Sequence, residues 1–190
     1  MIPKLGTSSE RASLFIQKDM QDNQRIYGFP PVCGENPRIL ILGSMPSVKS
    51  LEEAQYYAHP RNAFWRIMGE LFGFDHLLPY GERLAELRRN RVALWDVVGS
   101  GVRPGSLDAA IREHRPNDIP GLLARCPGIR VIGCNGSTSH KLLKRHYPEL
   151  FGRGGLTILA LPSTSPAAAR LRYEEKLAAF REMLRFRETQ

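Results

Sequence analysis

The sequence predicts an α/β fold, a three-layer sandwich with a central, mostly parallel four-stranded sheet flanked by helices. Four short β-branched or aliphatic runs, residues 38–42, 92–97, 129–133 and 156–161, are each bounded by Gly or Pro, as buried strands are. Helical patterns fall between and after them, at residues 63–72, 82–89, 137–146 and 167 to about 187. The order strand then helix, repeated, argues for parallel strands joined by right-handed crossovers. In such sheets ligands bind outside the carboxyl ends of the strands, so the residues just after each strand are where chemistry is to be sought.

The chain has 190 residues, 42% of them apolar and 24% charged. That is enough for a substantial core without disulfides or a structural metal. Residues 1–24 are polar with weak helical periodicity, and 28–32 read as an extended lead-in. Residues 1–30 are therefore expected to be an N-terminal extension and 31–190 a single domain. The mixed charges of the last helical stretch, where Arg170, Arg172, Lys176, Arg181, Arg185 and Arg187 alternate with four glutamates, read as a solvated face.

Charge narrows the partner. The net charge of +8 favours a polyanion, either nucleic acid or an anionic membrane surface. No run approaches the roughly 18 apolar residues of a spanning helix, and residues 1–20 lack the apolar core of a signal peptide. A cytosolic protein acting on nucleic acid is expected. The three cysteines, Cys33, Cys126 and Cys134, form no CxxC or CxxH pair, which suggests neither a disulfide framework nor a zinc site, and they are too few for an iron–sulfur cluster. No metal or cofactor is expected.

The first strand runs into Gly43, Ser44, Met45, Pro46 and Ser47, a tight turn whose backbone can approach a ligand. Alone, this is ordinary turn chemistry. Its continuation, Tyr57-Ala58-His59-Pro60-Arg61-Asn62-Ala63-Phe64-Trp65, is an aromatic and basic cluster directly before an amphipathic helix. Aromatic faces stack on bases and Arg binds phosphate. Phe64 and Trp65 share the apolar pattern of Ile67, Met68 and Leu71 and read as core, whereas Tyr56 and Tyr57 lie off the helix. Asn62 has the position of a helix N-cap, and the rest of its amide is free to orient water. His59 is open between a structural and a DNA-binding role. The fourth strand ends in a second hydroxyl-rich loop, Pro162-Ser163-Thr164-Ser165-Pro166. Two such loops on different strands can face each other across a cleft and hold a phosphodiester backbone.

With GSMPS followed by YAHPRNAFW, and with LPSTSP after the last strand, the chain resembles the uracil-DNA glycosylase superfamily, most closely its hypoxanthine-DNA (deoxyinosine) glycosylase branch together with the mismatch-specific uracil glycosylases. In the mismatch-specific family the first motif reads Gly-Ile-Asn-Pro-Gly. A spacer follows, then an aromatic residue, Ala-His-Pro, Ala-Asn and Arg-Phe-Trp.

The resemblance implies that Gly43, Ser44, Met45, Pro46 and Tyr57 form the base pocket, with Tyr57 stacking on the flipped base. It implies DNA contacts from Ser47, His59, Arg61, Ser163, Thr164, Ser165 and Arg170. Two positions depart from the commoner pattern. Met45 stands where the family places the Asp or Asn that orients the hydrolytic water, and Ser165 stands where a Leu usually wedges into the duplex. By resemblance to the deoxyinosine branch, Asn62 is the catalytic candidate, with Leu171 or Arg170 as candidate plug.

The expected activity is excision of a deaminated base, hypoxanthine first and uracil or xanthine next. The enzyme is expected to be a monofunctional, monomeric glycosylase that flips its base. Lys49 would be the nearest amine for a lyase step, but a loop Lys more often binds phosphate. Asp96 and Asn135, which close the second strand and follow the third, read first as local capping or turn residues, with Arg103 near the DNA backbone. The rival reading is a non-catalytic DNA-binding or damage-sensing protein of the same fold. A phosphate-transferring enzyme is disfavoured because no GxxxxGK[ST] loop is present.

Overall fold

The computed structural model describes residues 25–187. Its centre is a parallel sheet of four strands, β2 (Ile39–Gly43), β3 (Val92–Asp96), β6 (Val131–Asn135) and β7 (Thr157–Leu161), in the order β3-β2-β6-β7. Every residue of β2, β3 and β6 is buried. Strands covered on both faces carry continuous apolar runs instead of alternation, which is why these runs were legible as strands. The edge strand β7 is only half-buried.

Helices connect and cover the sheet: α1 (Val48–Glu53), α2 (Phe64–Phe72), α3 (Tyr80–Arg89), α4 (Ile119–Arg125), α5 (Ser137–His146) and α6 (Tyr173–Arg181). The α/β sandwich expected from the sequence is therefore observed. Helix α2 buries Phe64, Trp65, Ile67 and Met68, and the Trp65 indole N–H donates to the Tyr56 carbonyl at 3.0 Å. Cys134 is buried in β6, while Cys33 and Cys126 bring their sulfurs within 3.3 Å of each other as free thiols.

A second sheet was not foreseen. Strands β1 (Arg25–Tyr27), β4 (Val98–Val102) and β5 (Arg112–Pro116) form an antiparallel sheet in the order β1-β4-β5. The sequences VGSGV and REHRP have low strand propensity. Their pairing is set by tertiary context, because β4 leaves β3 after a single residue, Val97. The Val97 and Val98 N–H groups donate to the Gly43 and Ser44 carbonyls at 2.9 and 3.0 Å. β1 lies inside the stretch of residues 1–30 set aside as an N-terminal extension, whose residues 1–24 lie outside the described residues.

The C-terminal helix is shorter than its periodicity suggested. Residues 167–172 are turns, with the Ala168 N–H bonded back to the Ser165 carbonyl at 3.0 Å. Helix α6 starts where Glu175 accepts a bond from the Arg172 N–H at 2.8 Å, an N-terminal cap that local Ala propensity does not reveal. After Arg181 the chain tightens into a 3₁₀ turn, Glu182–Phe186. Lys176, placed by sequence on the solvated face, is buried and donates to the Ala168 carbonyl at 2.8 Å.

The strand order fixes where a ligand can sit. The chain adds β3 on one side of β2 and then returns to add β6 on the other. The loops leaving β2 and β6 therefore diverge, opening a crevice at their carboxyl ends.

Candidate active site

A cavity of about 250 Å³ lies at that switch point, the scale of a small ligand. The turn after β2 forms its floor, with Gly43, Ser44, Met45, Pro46 and Ser47 all lining it. Gly43 is dictated by space: a Cβ there would overlap the Asp96 carboxylate and lie 3.1 Å from the Tyr57 hydroxyl. Ser47 caps α1 through a bond from the Ser50 N–H to its hydroxyl at 3.1 Å. Met45 is buried, and no titratable group takes its place in the turn.

The floor is held from behind by Arg103. Expected near the DNA backbone, its side chain is only 1% exposed. The guanidinium donates to the Met45, Pro46 and Gly105 carbonyls and pairs with Asp108 at 3.9 Å. A planar five-donor fork suits this tethering of several carbonyls. The loop after β4 thereby closes one side of the cavity, contributing Ser106, Leu107 and Asp108. Sequence reading missed this wall because β4 itself was not recognised.

Tyr57 lines the cavity with its backbone in the left-handed region, φ +55°. That conformation costs a non-Gly residue on the order of 1–3 kcal/mol and is held by its surroundings. One face of the ring stacks on Phe64, with centroids 3.9 Å apart, and its hydroxyl is buried without a partner. Burial pushes its ionisation far above the usual tyrosine range, with the neighbouring Asp96 adding to the effect. Tyr56 also borders the cavity but is mostly core: it is buried and its hydroxyl donates to the Pro30 carbonyl at 3.2 Å.

Asn62 also lines the cavity. The N-cap position itself is held by Ala63; Asn62, one residue earlier, accepts the Phe64 N–H on Oδ1 at 3.0 Å in an Asx turn that satisfies a first-turn donor of α2. Its Nδ2 has no protein partner among the described residues.

Opposite, the loop after β7 supplies Ser163, Thr164 and Ser165. Thr164 differs from its neighbours: it is 1% exposed. Asn135, at the end of β6, donates through Nδ2 to the Thr164 hydroxyl and accepts the Thr164 N–H, both at 2.9 Å. Two such buried bonds contribute roughly 1 kcal/mol each. The Thr164 carbonyl in turn accepts the Ala63 N–H at 3.0 Å. Asn135 is therefore a strut that binds the β7 loop to β6 and, through Thr164, to the start of α2.

Asp96 ends β3 on the cavity wall, 3% exposed, and its Oδ2 has no hydrogen-bond partner. Desolvation pushes its pKa up to about 7, with nearby Asp108 raising it further and Arg103 opposing. The local cap or pair expected for this side chain is not made; the backbone carbonyl of Asp96 instead accepts the Asn117 amide at 2.8 Å.

His59, Arg61 and Arg170 lie outside this cavity. His59 and Arg61 line a neighbouring trough that shares Tyr57 and Asn62 with it and also includes Arg66, His76 and Arg83. Within the HPRN turn, the His59 Nδ1 accepts the Arg61 N–H at 3.1 Å. Arg170 and Leu171 are exposed in the turns before α6. Lys49 sits on α1 paired to Glu53 at 2.7 Å and Glu52 at 3.4 Å, pairings that raise its pKa, the reverse of what an amine nucleophile needs.

Residues 30–186 match the family model of the uracil DNA glycosylase superfamily. The chain belongs to that superfamily. The chain is 40% identical over 159 residues to a hypoxanthine DNA glycosylase of Methanosarcina acetivorans, covering 81% of this chain and 97% of that one. It is 42% identical over 113 residues to a hypoxanthine DNA glycosylase of Methanosarcina barkeri, covering 59% and 72% respectively. A solution NMR structure from Methanosarcina acetivorans, assigned as a uracil DNA glycosylase, superposes with a TM-score of 0.71 at 39% identity, over 85% of this chain and 99% of that one. Among the described residues of this superfamily member no helix is long and apolar enough to cross a membrane, and no cluster of three metal-ligating side chains occurs.

Proposed function

We propose that the protein is a monofunctional DNA glycosylase that flips a deaminated base, hypoxanthine first and uracil or xanthine next, into the switch-point cavity and hydrolyses its glycosidic bond. The observation that carries the reading is the convergence in one cavity of the Gly43–Ser47 turn, Tyr57, Asn62 and the Ser163–Ser165 loop, in a chain about 40% identical to hypoxanthine DNA glycosylases.

In this reading the flipped base stacks on Tyr57 and lies over the Gly43 turn, whose backbone approaches it closely. Asn62 positions the water: its Oδ1, fixed by the Phe64 N–H, keeps a second lone pair, and its Nδ2 is free to donate. Breaking the bond develops positive charge on the sugar and negative charge on the leaving base, and preorganised polar groups around both supply the rate. Ser47, Ser163 and Ser165 hold the flanking phosphates. The adjoining trough, with His59, Arg61, Arg66 and Arg83 and no carboxylate in its lining, takes the continuing strand. Thr164 serves from inside, as the partner of Asn135, and Arg170 meets DNA from the exposed turn before α6. Leu107, 66% exposed on the cavity rim, joins Leu171 as an apolar side chain able to enter the gap left by the base. The protein acts as a monomer in the cytosol, with residues 31–190 as its glycosylase domain.

The test is single-turnover incubation of the purified protein, without metal or cofactor, with duplexes carrying hypoxanthine, uracil or xanthine. Abasic sites are expected, fastest from hypoxanthine, with strand breaks only after alkali. Absence of product from all three, with binding retained, would sink the catalytic reading in favour of a damage-sensing protein.

A further inference from the structure

Among the described residues, Asp96 is a buried carboxylate on the cavity wall whose Oδ2 is fully enclosed without a hydrogen-bond partner, while its Oδ1 faces the space beside Gly43. A buried acid is usually matched by a cation or by backbone N–H groups. Here the groups facing it argue for a neutral carboxyl. Arg103, after β4, is committed to three carbonyls and to Asp108. Asp108, on the following 3₁₀ turn, is a second acid on the same wall. Tyr57 and Tyr56, from the turn before α2, present phenols that burial and Asp96 itself hold neutral. Gly43, the residue paired with Asp96 on β2, leaves space in front of the carboxyl that any Cβ would fill.

We infer that Asp96 is a catalytic general acid that delivers its proton to N7 of a departing purine, an inference that rests on the glycosylase reading above. The C1′–N9 bond breaks with its electron pair passing to the base. The carboxyl proton of Asp96 passes to N7, water bonds to C1′ and releases a proton to solvent, and solvent reprotonates Asp96. The sum is hydrolysis of a deoxyinosine residue to hypoxanthine and an abasic site. A ring nitrogen corresponding to N7 is absent from uracil, so the device favours purines. Proton transfer of this kind is worth roughly 10²–10⁴-fold in rate, and a pKa near 7 keeps the acid loaded at neutral pH yet able to release its proton.

The experiment compares wild type with Asp96→Asn, which keeps size and neutrality but has no transferable acid. Single-turnover rates are measured from pH 5 to 9 on deoxyinosine, 7-deaza-2′-deoxyinosine and uracil duplexes. On deoxyinosine at pH 6 the variant is expected to be at least 100-fold slower, and the fall in wild-type rate as pH rises through about 7 should vanish in it. On 7-deaza-2′-deoxyinosine the two proteins should be equally slow, and on uracil the variant should lose less rate than on deoxyinosine. A variant as fast as wild type on deoxyinosine, or wild type as fast on the 7-deaza base as on deoxyinosine, overturns the inference while leaving the glycosylase reading intact. A wild-type rate that rises with pH through 7 also overturns it, since Asp96 would then act as a carboxylate. No excision of deoxyinosine by wild type overturns both. Should the variant fail to fold, the wild-type pH profile and the 7-deaza comparison decide alone.

Discussion

Gly43 and Asp96 are register partners on the parallel strands β2 and β3, and the side chain that Gly43 lacks is what leaves room for the Asp96 carboxyl at the cavity wall. One strand end thus supplies the space and its neighbour the functional group. Neither is informative by itself, since a Gly in a turn and an Asp after a strand are both ordinary.

Gly43→Ala should therefore disturb the site more than one methyl suggests. The added Cβ overlaps the Asp96 carboxylate and crowds the Tyr57 hydroxyl, and overpacking of this kind costs about 1–3 kcal/mol. A lower urea midpoint is expected together with a loss of excision on every substrate. Wild-type stability and activity in the variant would show that the wall yields freely.

Asn62 combines an Asx turn at the start of α2 with a candidate catalytic amide, and two substitutions separate them. Asn62→Ala loses the bond from the Phe64 N–H and should cost about 1 kcal/mol of stability, measured by urea unfolding, as well as excision. Asn62→Ser keeps an oxygen that can accept the same N–H in a Ser turn, without the amide. It should unfold close to wild type and yet excise hypoxanthine at least 100-fold more slowly. Wild-type turnover in the Ser variant would leave Asn62 with the turn alone.

Asp96 should also write itself into the pH dependence of stability. Burial pushes its pKa up to about 7 in the folded chain, against 3.8 for a free aspartate side chain, so the folded state holds a proton that the unfolded state releases. Its contribution is fully present below about pH 4, declines as pH rises from about 4 to 7, and is lost above that. At 1.36 kcal/mol per unit the difference is of order a few kcal/mol. Urea titrations of wild type and Asp96→Asn between pH 4 and 8 should show the gap between them changing in that sense. A gap independent of pH would mean that Asp96 ionises freely in the folded protein.

The sequence by itself determined the parallel sheet, because β2, β3 and β6 are apolar on both faces and continuous apolar runs need no knowledge of their neighbours. It also determined helices α2, α3 and α5 to within a few residues, and the two hydroxyl-rich turns at the strand ends. The resemblance carried by GSMPS and YAHPRNAFW supplied the family that residues 30–186 match. Tertiary structure alone decided the rest, since it depends on what the chain meets far along its length. Strands β1, β4 and β5 pair across as many as 77 positions, from Arg25 to Val102, with little propensity of their own. The sheet they form lays Ser106, Leu107 and Asp108 against the cavity and turns Arg103 inward. Thr164, grouped by its loop with phosphate-binding serines, is claimed by Asn135, 29 positions away. Asp96 became an unpaired acid only when Gly43 was set beside it and the one nearby guanidinium was taken up by backbone carbonyls. Desolvation and the choice of partner are properties of a packed neighbourhood, and no local pattern of residue types encodes them.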